Sequence, residues 1–277
     1  MVAVGSVRSC GTTTLALGLA ATWPKSRPVL LVELDPAGGT LAAAAGWPAE
    51  PSLVSLAAAA RHGGDPELVF EHCQALAGGA SVLAAPAAAE QARAALGTLG
   101  ALLGRLNGLD AAVVCDCGRL DTGSPALSVW GLADRRLVAV RPRLSDLRAT
   151  ATWLEAHPPS DVMVSLVTVG GGPYPDSEIT DALGVEVAVH LPWDPGAAEA
   201  LATSAASARE LRLAPLVRAC RSLAEHLAAG APSEQGVEDG PMAARAGTRL
   251  ARRVLAPWRT PTTTASSNGH TPEEVSR

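Results

Sequence analysis

Short runs of apolar residues alternate along the chain with longer runs rich in alanine and leucine. The short runs have strand length and are bounded by Gly, Pro or Asp, whereas the longer runs have the length and spacing of helices. The predicted strands are residues 1–5, 28–34, 80–85, 111–116, 136–141, 162–169 and 185–190. The predicted helices are residues 12–23, 38–46, 52–61, 66–76, 87–106, 124–132, 144–156, 176–183, 195–207 and 213–228.

Several predicted strands are apolar at nearly every position instead of alternating, for example AAVVCD at 111–116 and VMVSLVTV at 162–169. Strands of this kind are covered on both faces. Together with the strand–helix alternation, they predict an α/β fold with a doubly wound, mostly parallel sheet and helices on both faces. Ligands bind such sheets at the carboxyl ends of the strands. The loop at 5–11 and the side chains of Glu33, Asp35 and Asp116 fall at these ends.

The alternating pattern stops near residue 229, so residues 1–228 are expected to form one α/β domain. Residues 229–277 have the composition of a polar linker and a low-complexity tail, which predicts disorder. Within them, residues 242–259 form a basic, weakly amphipathic segment that contains five arginines and no acidic residue. Such a segment can contact an anionic membrane or a partner groove. A solvated, partly helical tail is the simpler interpretation and the one favoured by its thin apolar face.

Composition and charge limit the classes of protein to which the chain can belong. The 277 residues suffice for a full core, and a net charge of −5 argues against direct DNA binding by the body of the protein. Five cysteines without framework spacing predict reduced thiols and a cytoplasmic location. Met1 leads straight into the first predicted strand, so no signal peptide is expected. No nucleophile–base pair, metal-ligand spacing or dinucleotide-binding glycine motif supports an unrelated enzyme on the same fold.

Residues 1–40 are laid out like a nucleotide-binding P-loop unit. The first strand runs into the loop GSVRSCGTTT (5–14), an apolar helix follows, and the second strand ends in acidic residues. A working P-loop needs a lysine beside the last loop glycine, where it meets the β- and γ-phosphates. Thr12 occupies that position, and Lys25 is the only lysine in the chain. The sequence therefore predicts the architecture of a nucleotide switch without its principal cation.

Three further segments match a known pattern in the same order. They are VLLVELDPAGGTL (29–41), AAVVCDCG (111–118) and LPWDP (191–195). With the loop, these segments resemble the ParA/MinD family of deviant P-loop ATPases, which position chromosomes, plasmids, division sites and other cargo. The resemblance covers about residues 1–228 and implies ATP and magnesium as ligands. It departs from the family at Glu33, which stands where the first Asp of the second motif is usual, and at the loop.

The resemblance also implies roles for individual residues. Thr12 aligns with the family lysine, Thr13 with the magnesium-binding threonine, and Val7 with the extra signature lysine, so that Arg8 next to it could supply a cation. The implied nucleotide-binding residues are Arg8, Ser9, Cys10, Gly11, Thr12, Thr13, Thr14, Pro192 and Asp194. The implied magnesium ligands, partly through water, are Thr13, Asp35 and Asp116. Glu33 and Asp35 are the implied catalytic residues.

Each of these residues also has an interpretation without a ligand. The run Thr12–Thr14 could cap a helix. Glu33 and Asp35 could be solvated carboxylates, Asp116 before Gly118 a turn former, and Asp194 the cap of the next helix. Arg8 could be an ordinary surface residue. The topology brings these residues to one sheet edge. It is therefore less expected that the simpler interpretations hold for all of them together than that any one of them holds alone.

The expected function is a nucleotide-dependent positioning protein with weak binding and slow or absent ATP hydrolysis. Loss of a charge-assisted hydrogen bond costs about 1.5–3 kcal/mol, roughly one to two decades of affinity. Hydrolysis suffers more, because the missing cations stabilise charge in the transition state. The alternative is a pseudo-ATPase scaffold or adaptor that binds no nucleotide and pairs with an active relative. Expected partners are a second copy or a related ATPase and an unknown cargo or adaptor, in the cytoplasm. Peripheral contact at the inner membrane face through 242–259 is the less favoured alternative.

Overall fold

One sheet of eight strands forms the centre of the computed structural model, which describes residues 1–61, 63–76, 78–158, 162–203 and 208–230. The strands are β1 (Val2–Ser6), β2 (Val29–Glu33), β3 (Gln74–Ala75), β4 (Ser81–Leu83), β5 (Ala112–Arg119), β6 (Arg135–Val140), β7 (Met163–Val169) and β8 (Val187–Leu191). Their order in the sheet is β3-β4-β2-β5-β1-β6-β7-β8. Every neighbouring pair is parallel except β3 and β4.

Helices connect most consecutive strands and cover both faces of the sheet. They are α1 (Thr12–Thr22), α2 (Leu41–Ala45), α3 (Leu53–Ala59), α4 (Ala89–Leu103), α5 (Leu127–Leu132), α6 (Leu144–Ala156), α7 (Asp176–Leu183), α8 (Pro195–Thr203), α9 (Ala208–Leu213) and α10 (Pro215–Ala229). Short 3₁₀ helices occur at Pro66–His72 and Leu106–Gly108. The predicted fold class, a doubly wound and mostly parallel α/β sheet, is confirmed.

The core has two layers, one on each face of the sheet. One layer joins the sheet to α3 through α7 and includes Leu56, Leu99 and Trp130. The other joins it to α1, α8 and α10 and includes Leu15 and Leu223. Because both faces are covered, the central strands are mostly apolar, and β1 and β5 are the most completely buried.

Among the predicted segments that differ from the structure, two are explained by pairing between strands. Residues 66–76 were predicted as one helix, but the structure has a 3₁₀ helix at Pro66–His72 followed by β3. The helix prediction was wrong because Gln74 and Ala75 pair antiparallel with β4, an interaction between strands that local periodicity does not encode. The predicted strand 111–116 was also too short, since β5 continues to Arg119.

Other parts of the prediction lie outside the described residues. The linker and tail beyond residue 230, including the basic segment 242–259, are not described by the structure, so those assignments stay predictions. Among the residues that are described, no helix combines the length and hydropathy needed to cross a bilayer.

Gly18 allows α1 to pack closely against α10. A β-carbon at Gly18 would overlap the sulfur of Cys220, which is buried on α10. We expect Gly18→Ala to lower the free energy of unfolding by about 1–3 kcal/mol, because steric overlap in a packed core outweighs the gain in helix propensity. Urea denaturation measures the change. Gly97→Ala is the matched control, since Gly97 lies on α4 and a β-carbon there would meet open space, and it should be stabilising. Equal stabilisation by both substitutions would contradict the close packing.

Candidate functional site

The loop between β1 and α1 lies at the carboxyl edge of the sheet and opens a helix. Gly11 precedes the helix with φ 103°, a left-handed conformation that favours glycine. No side chain caps the start of α1, so the threonines at 12–14 are not helix caps. Among the described residues, the backbone N–H groups of Gly11, Thr12 and Thr13 have no hydrogen-bond acceptor. This arrangement leaves donors available to an anion at the helix N-terminus.

Thr12, which aligns with the family lysine, is directed into the protein. Its side chain is buried, and its hydroxyl donates a hydrogen bond of 2.8 Å to the hydroxyl of Ser6 at the end of β1. The Cys10 thiol is also buried beside Ser6, and burial raises the pKa of this thiol to about 11. Ser6, which the sequence analysis did not single out, therefore joins the inner side of the loop to the end of β1.

Asp116 lies on β5 between β1 and β2, in register with Val4 on one side and Glu33 on the other. It is fully buried; Oδ1 accepts a hydrogen bond of 3.0 Å from the backbone N–H of Gly118. Oδ2 has no hydrogen-bond partner among the described residues. Burial, together with a smaller effect of the Glu33 charge, raises the pKa of Asp116 to about 7, and the nearby Thr13 hydroxyl acts in the opposite direction.

Asp35 approaches the same point from the end of β2. Its Oδ1 accepts a hydrogen bond of 2.8 Å from the backbone N–H of Ala37. Its carboxyl group packs against Gly118, where the positive φ of 59° and the absence of a β-carbon make room for it. The structure thus brings Asp35, Asp116 and Thr13 together beside the loop, as predicted.

Glu33 is a buried carboxylate, not a solvated one. Its Oε1 accepts hydrogen bonds from the backbone N–H groups of Thr40 at 2.7 Å and Leu41 at 3.2 Å. Its Oε2 accepts one of 2.9 Å from Ala85 after β4. Burial raises the pKa of Glu33, and these three hydrogen bonds act against the rise. The side chain therefore joins the start of α2 to the end of β4, and its predicted catalytic role stays a prediction.

A cavity of about 260 Å³ opens between the loop and the connection from β8 to α8. Cys10, Gly11 and Thr14 line one side of it; Pro192, Trp193 and Asp194 line the other. Five of the predicted nucleotide-binding residues therefore lie around one cavity, whereas the other four, Arg8, Ser9, Thr12 and Thr13, do not line it. Its walls are mainly apolar, as is typical of a small-molecule site with few polar groups.

The connection from β8 to α8 combines a capping residue and an exposed aromatic ring. Asp194 Oδ1 accepts a hydrogen bond of 3.0 Å from the backbone N–H of Ala197, so Asp194 caps α8 in addition to lining the cavity. Trp193 is 62% exposed, and the guanidinium carbon of Arg141 lies 5.4 Å from the centroid of its ring. Sequence reasoning missed Trp193, although it stands between the two residues singled out in LPWDP.

The loop carries a single basic residue, Arg8, and no lysine. Arg8 and Ser9 are both exposed, and the Ser9 hydroxyl accepts a hydrogen bond of 2.9 Å from Nη2 of Arg119. Arg8 makes no ion pair with a described residue. Arg119 and Arg141 were also missed by the sequence analysis. The signal that could have revealed them is their position, since Arg119 is the last residue of β5 and Arg141 directly follows β6.

A magnesium ion fits the residues that are brought together here. The unpartnered carboxylate oxygen of Asp116, the Thr13 hydroxyl and Asp35 are oxygen donors of the kind that magnesium prefers. In the part of the chain that the structure describes, no group of three His, Cys, Asp or Glu side chains could hold a metal by itself. Phosphate oxygens and water would therefore have to complete the coordination.

Comparison with solved structures identifies proteins of the same fold. A ParA family ATPase from Chlorobium tepidum TLS is similar with a TM-score of 0.67 and 17% identity, covering 81% of this chain and 98% of that one. The septum site-determining protein MinD of Pyrococcus horikoshii OT3, complexed with Mg-ADP, has a TM-score of 0.65 and 18% identity, covering 83% and 96%. A chain of the MinC:MinD cell division protein complex of Aquifex aeolicus has a TM-score of 0.59 and 14% identity, covering 85% of this chain and 98% of that one. No family model and no curated protein sequence matches the chain. The chain therefore has the fold of the ParA and MinD ATPases.

Proposed function

We propose that this chain is a ParA/MinD-like nucleotide-binding protein that acts in intracellular positioning or partitioning. It binds ATP or ADP with magnesium at the β1–α1 loop, weakly, and hydrolyses ATP slowly or not at all. The observation that carries the proposal is the Asp116 carboxylate, which is fully buried and leaves one oxygen without a partner among the described residues. Such a group is costly to bury and marks a functional site.

The surroundings of Asp116 support a nucleotide as the ligand. Free backbone N–H groups at the start of α1 suit phosphate oxygens. The adjacent cavity is mainly apolar and has the size expected for part of a small-molecule site, which suits a base. The similar MinD structure from P. horikoshii is a complex with Mg-ADP. Thr13, Asp35 and Asp116 would hold the magnesium ion, which neutralises phosphate charge when it is bound.

The position of Thr12 is the reason for expecting weak hydrolysis. A P-loop lysine would place an ammonium group against the β- and γ-phosphates. The Thr12 hydroxyl instead donates to Ser6 and lies buried at the base of the loop. Charge that develops on the phosphoryl oxygens in the transition state therefore lacks one stabilising cation, and the loss of one such group lowers the rate by about 10²–10³-fold.

The biological setting follows from the same resemblance. We propose that residues 1–228 are the nucleotide-binding domain and that residues 229–277 form a separate linker and tail. The chain works in the cytoplasm as a homodimer or with a related ATPase, and it recruits a cargo or adaptor protein. A similar structure is a complex of MinD with MinC, which supports a protein partner. Membrane contact through 242–259 is the less favoured role of the tail.

A scaffold that binds no nucleotide is the second candidate. The observation that favours it is the Thr12–Ser6 hydrogen bond, because it closes the inner side of the loop with side chains that bear no charge. In that function, the folded domain would serve as a binding surface for an active relative. Nucleotide binding separates the two candidates, since only the first requires it.

An ATPase assay tests the catalytic part of the proposal. We expect the wild-type turnover to lie about 10²–10³-fold below that of an active ParA or MinD protein assayed in parallel, because one transition-state cation is missing. Asp116→Ala should remove any residual magnesium-dependent turnover. Size-exclusion chromatography with and without ATP shows whether the nucleotide promotes dimerisation. Turnover equal to that of the active protein, and lost in Asp116→Ala, would refute the proposed weak hydrolysis.

A further inference from the structure

The two strands that flank β1 each lead into an arginine beside the loop. On one side, β5 continues past Asp116 so that Arg119 pairs in register with Ser6, and the backbone N–H of Leu120 donates 2.9 Å to the Ser6 carbonyl. On the other side, Ala139 of β6 pairs with Ser6, and Arg141 follows two residues later. The backbone therefore fixes one arginine on each side of the point where the loop begins.

Arg119 is attached to the loop through its side chain. Its Nη2 donates to the Ser9 hydroxyl at 2.9 Å, and the side chain is exposed. A guanidinium group has five N–H donors, so most of its donors stay free for another acceptor. None of the described carboxylates forms an ion pair with Arg119, and its charge is therefore not neutralised within this part of the protein.

Arg141 approaches from the cavity side. Its guanidinium carbon lies 5.4 Å from the ring centroid of Trp193, which lines the cavity together with Cys10. Its positive charge acts on the Cys10 thiol and lowers the pKa of this group, against the larger effect of burial. Like Arg119, it makes no ion pair with any carboxylate that the structure describes.

The side chains around the loop carry negative charge, so an anionic ligand that binds there needs cations beside it. Glu33, Asp35 and Asp116 gather at this edge of the sheet, and the P-loop position of the lysine is taken by Thr12. A polyphosphate group would meet these carboxylates without an ammonium group from the loop. Guanidinium groups suit it well, because they stay charged and donate pairs of hydrogen bonds to phosphate oxygens.

We propose that Arg119 and Arg141 bind the phosphate groups of the nucleotide from the two strands beside β1, replacing the lysine that the loop lacks. Arg119 acts from the Ser9 side and Arg141 from the cavity side. The inference rests on the proposed function, since it assigns residues to the same nucleotide site. It also differs from the expectation that Arg8, on the loop itself, supplies the charge.

Calorimetric titration of the full chain with Mg-ADP and with adenosine tests the assignment. We expect Arg119→Ala and Arg141→Ala each to lower the affinity for Mg-ADP about 10–100-fold, the effect of losing a charge-assisted hydrogen bond. Adenosine has no phosphate, so its affinity should be unchanged in Arg119→Ala. Arg119→Lys keeps the charge without the planar fork and should give a smaller loss. Arg148→Ala, which removes an exposed arginine from α6, is the matched control and should bind as wild type.

The outcomes separate the two proposals. A wild-type chain that binds neither Mg-ADP nor adenosine overturns the proposed function and the arginine assignment with it. A wild-type chain that binds Mg-ADP, with unchanged affinity in the Arg119→Ala and Arg141→Ala variants, overturns only the arginine assignment. A large loss of Mg-ADP affinity in Arg8→Ala alone also overturns the arginine assignment and means that Arg8 supplies the positive charge. Each ligand-free variant should unfold at the same temperature as wild type. A loss of affinity then comes from the binding site and not from a less stable fold.

Discussion

Replacing Asp116 with asparagine is expected to stabilise the ligand-free protein while removing the magnesium-dependent part of nucleotide binding. Asp116 is fully buried, and its Oδ2 has no partner among the described residues. Burial raises the pKa of this carboxyl from 3.8 to about 7, a difference that corresponds to about 4 kcal/mol. Asparagine has nearly the same shape and keeps a carbonyl oxygen for the N–H of Gly118, without the cost of burying a charge.

The sign of the pH dependence follows from the raised pKa. Between pH 4 and pH 7 the folded protein holds a proton on Asp116 that the unfolded chain has lost, so this group stabilises the fold below pH 4, and that stabilisation is lost as the pH rises through 7. In metal-free buffer, Asp116→Asn should therefore exceed wild type by up to about 4 kcal/mol at pH 8 and match it near pH 4.

Urea denaturation at several pH values measures this difference. Asp181→Asn, an exposed position on α7, is the matched control and should stay within about 0.5 kcal/mol of wild type at every pH. An Asp116→Asn variant that is less stable than wild type at pH 8 would mean that the carboxylate is well satisfied in the ligand-free protein. The case for a functional carboxylate at this position would then fail.

Glu33→Ala should have the opposite effect on stability. The Glu33 carboxylate accepts backbone hydrogen bonds from Thr40, Leu41 and Ala85, which belong to two separate segments. Removing it leaves three buried or partly buried N–H groups without an acceptor. We expect a loss of about 3–5 kcal/mol in the free energy of unfolding, as when one partner of a buried charged interaction is deleted.

Two further variants make this test specific to the hydrogen bonds. Glu33→Gln keeps one carbonyl oxygen for Thr40 and Leu41 but turns an amide donor towards Ala85, so its loss should be smaller than that of Glu33→Ala. Glu155→Ala, on an exposed face of α6, should be nearly neutral. Equilibrium denaturation gives all three values. Wild-type stability in Glu33→Ala, combined with loss of ATP turnover, would instead support the catalytic role that the family resemblance implies.

The convergence of the candidate site could be predicted because it depends on topology. Apolar strands without alternation imply a parallel sheet, and the carboxyl ends of parallel strands meet at one edge. Asp35, Asp116 and the loop were placed together on that basis, and the structure confirms that they are close. Helices with clear ends were also predicted well; α6 and α7 have the predicted bounds.

Side-chain partners could not be predicted, because they depend on distances across the sheet. Nothing local in the loop indicates that Thr12 turns inward to Ser6. A solvated carboxylate was the alternative interpretation of Glu33 because this residue ends a strand, yet the segments around Thr40 and Ala85 enclose it. Pairing between strands explains the position of Arg119. The predicted strand ends at Asp116, but hydrogen bonding to β1 carries β5 on to Arg119 and so to the loop.

Calorimetric titration of wild type and Asp116→Asn with ATP, with and without magnesium, shows whether Asp116 holds the magnesium ion of a bound nucleotide. We expect weak, saturable binding by the wild-type chain that magnesium strengthens, and a variant in which magnesium has no effect. Contradiction would come from a wild-type chain that shows no saturable heat with ATP and magnesium, or from an Asp116→Asn variant that binds Mg-ATP as tightly as wild type.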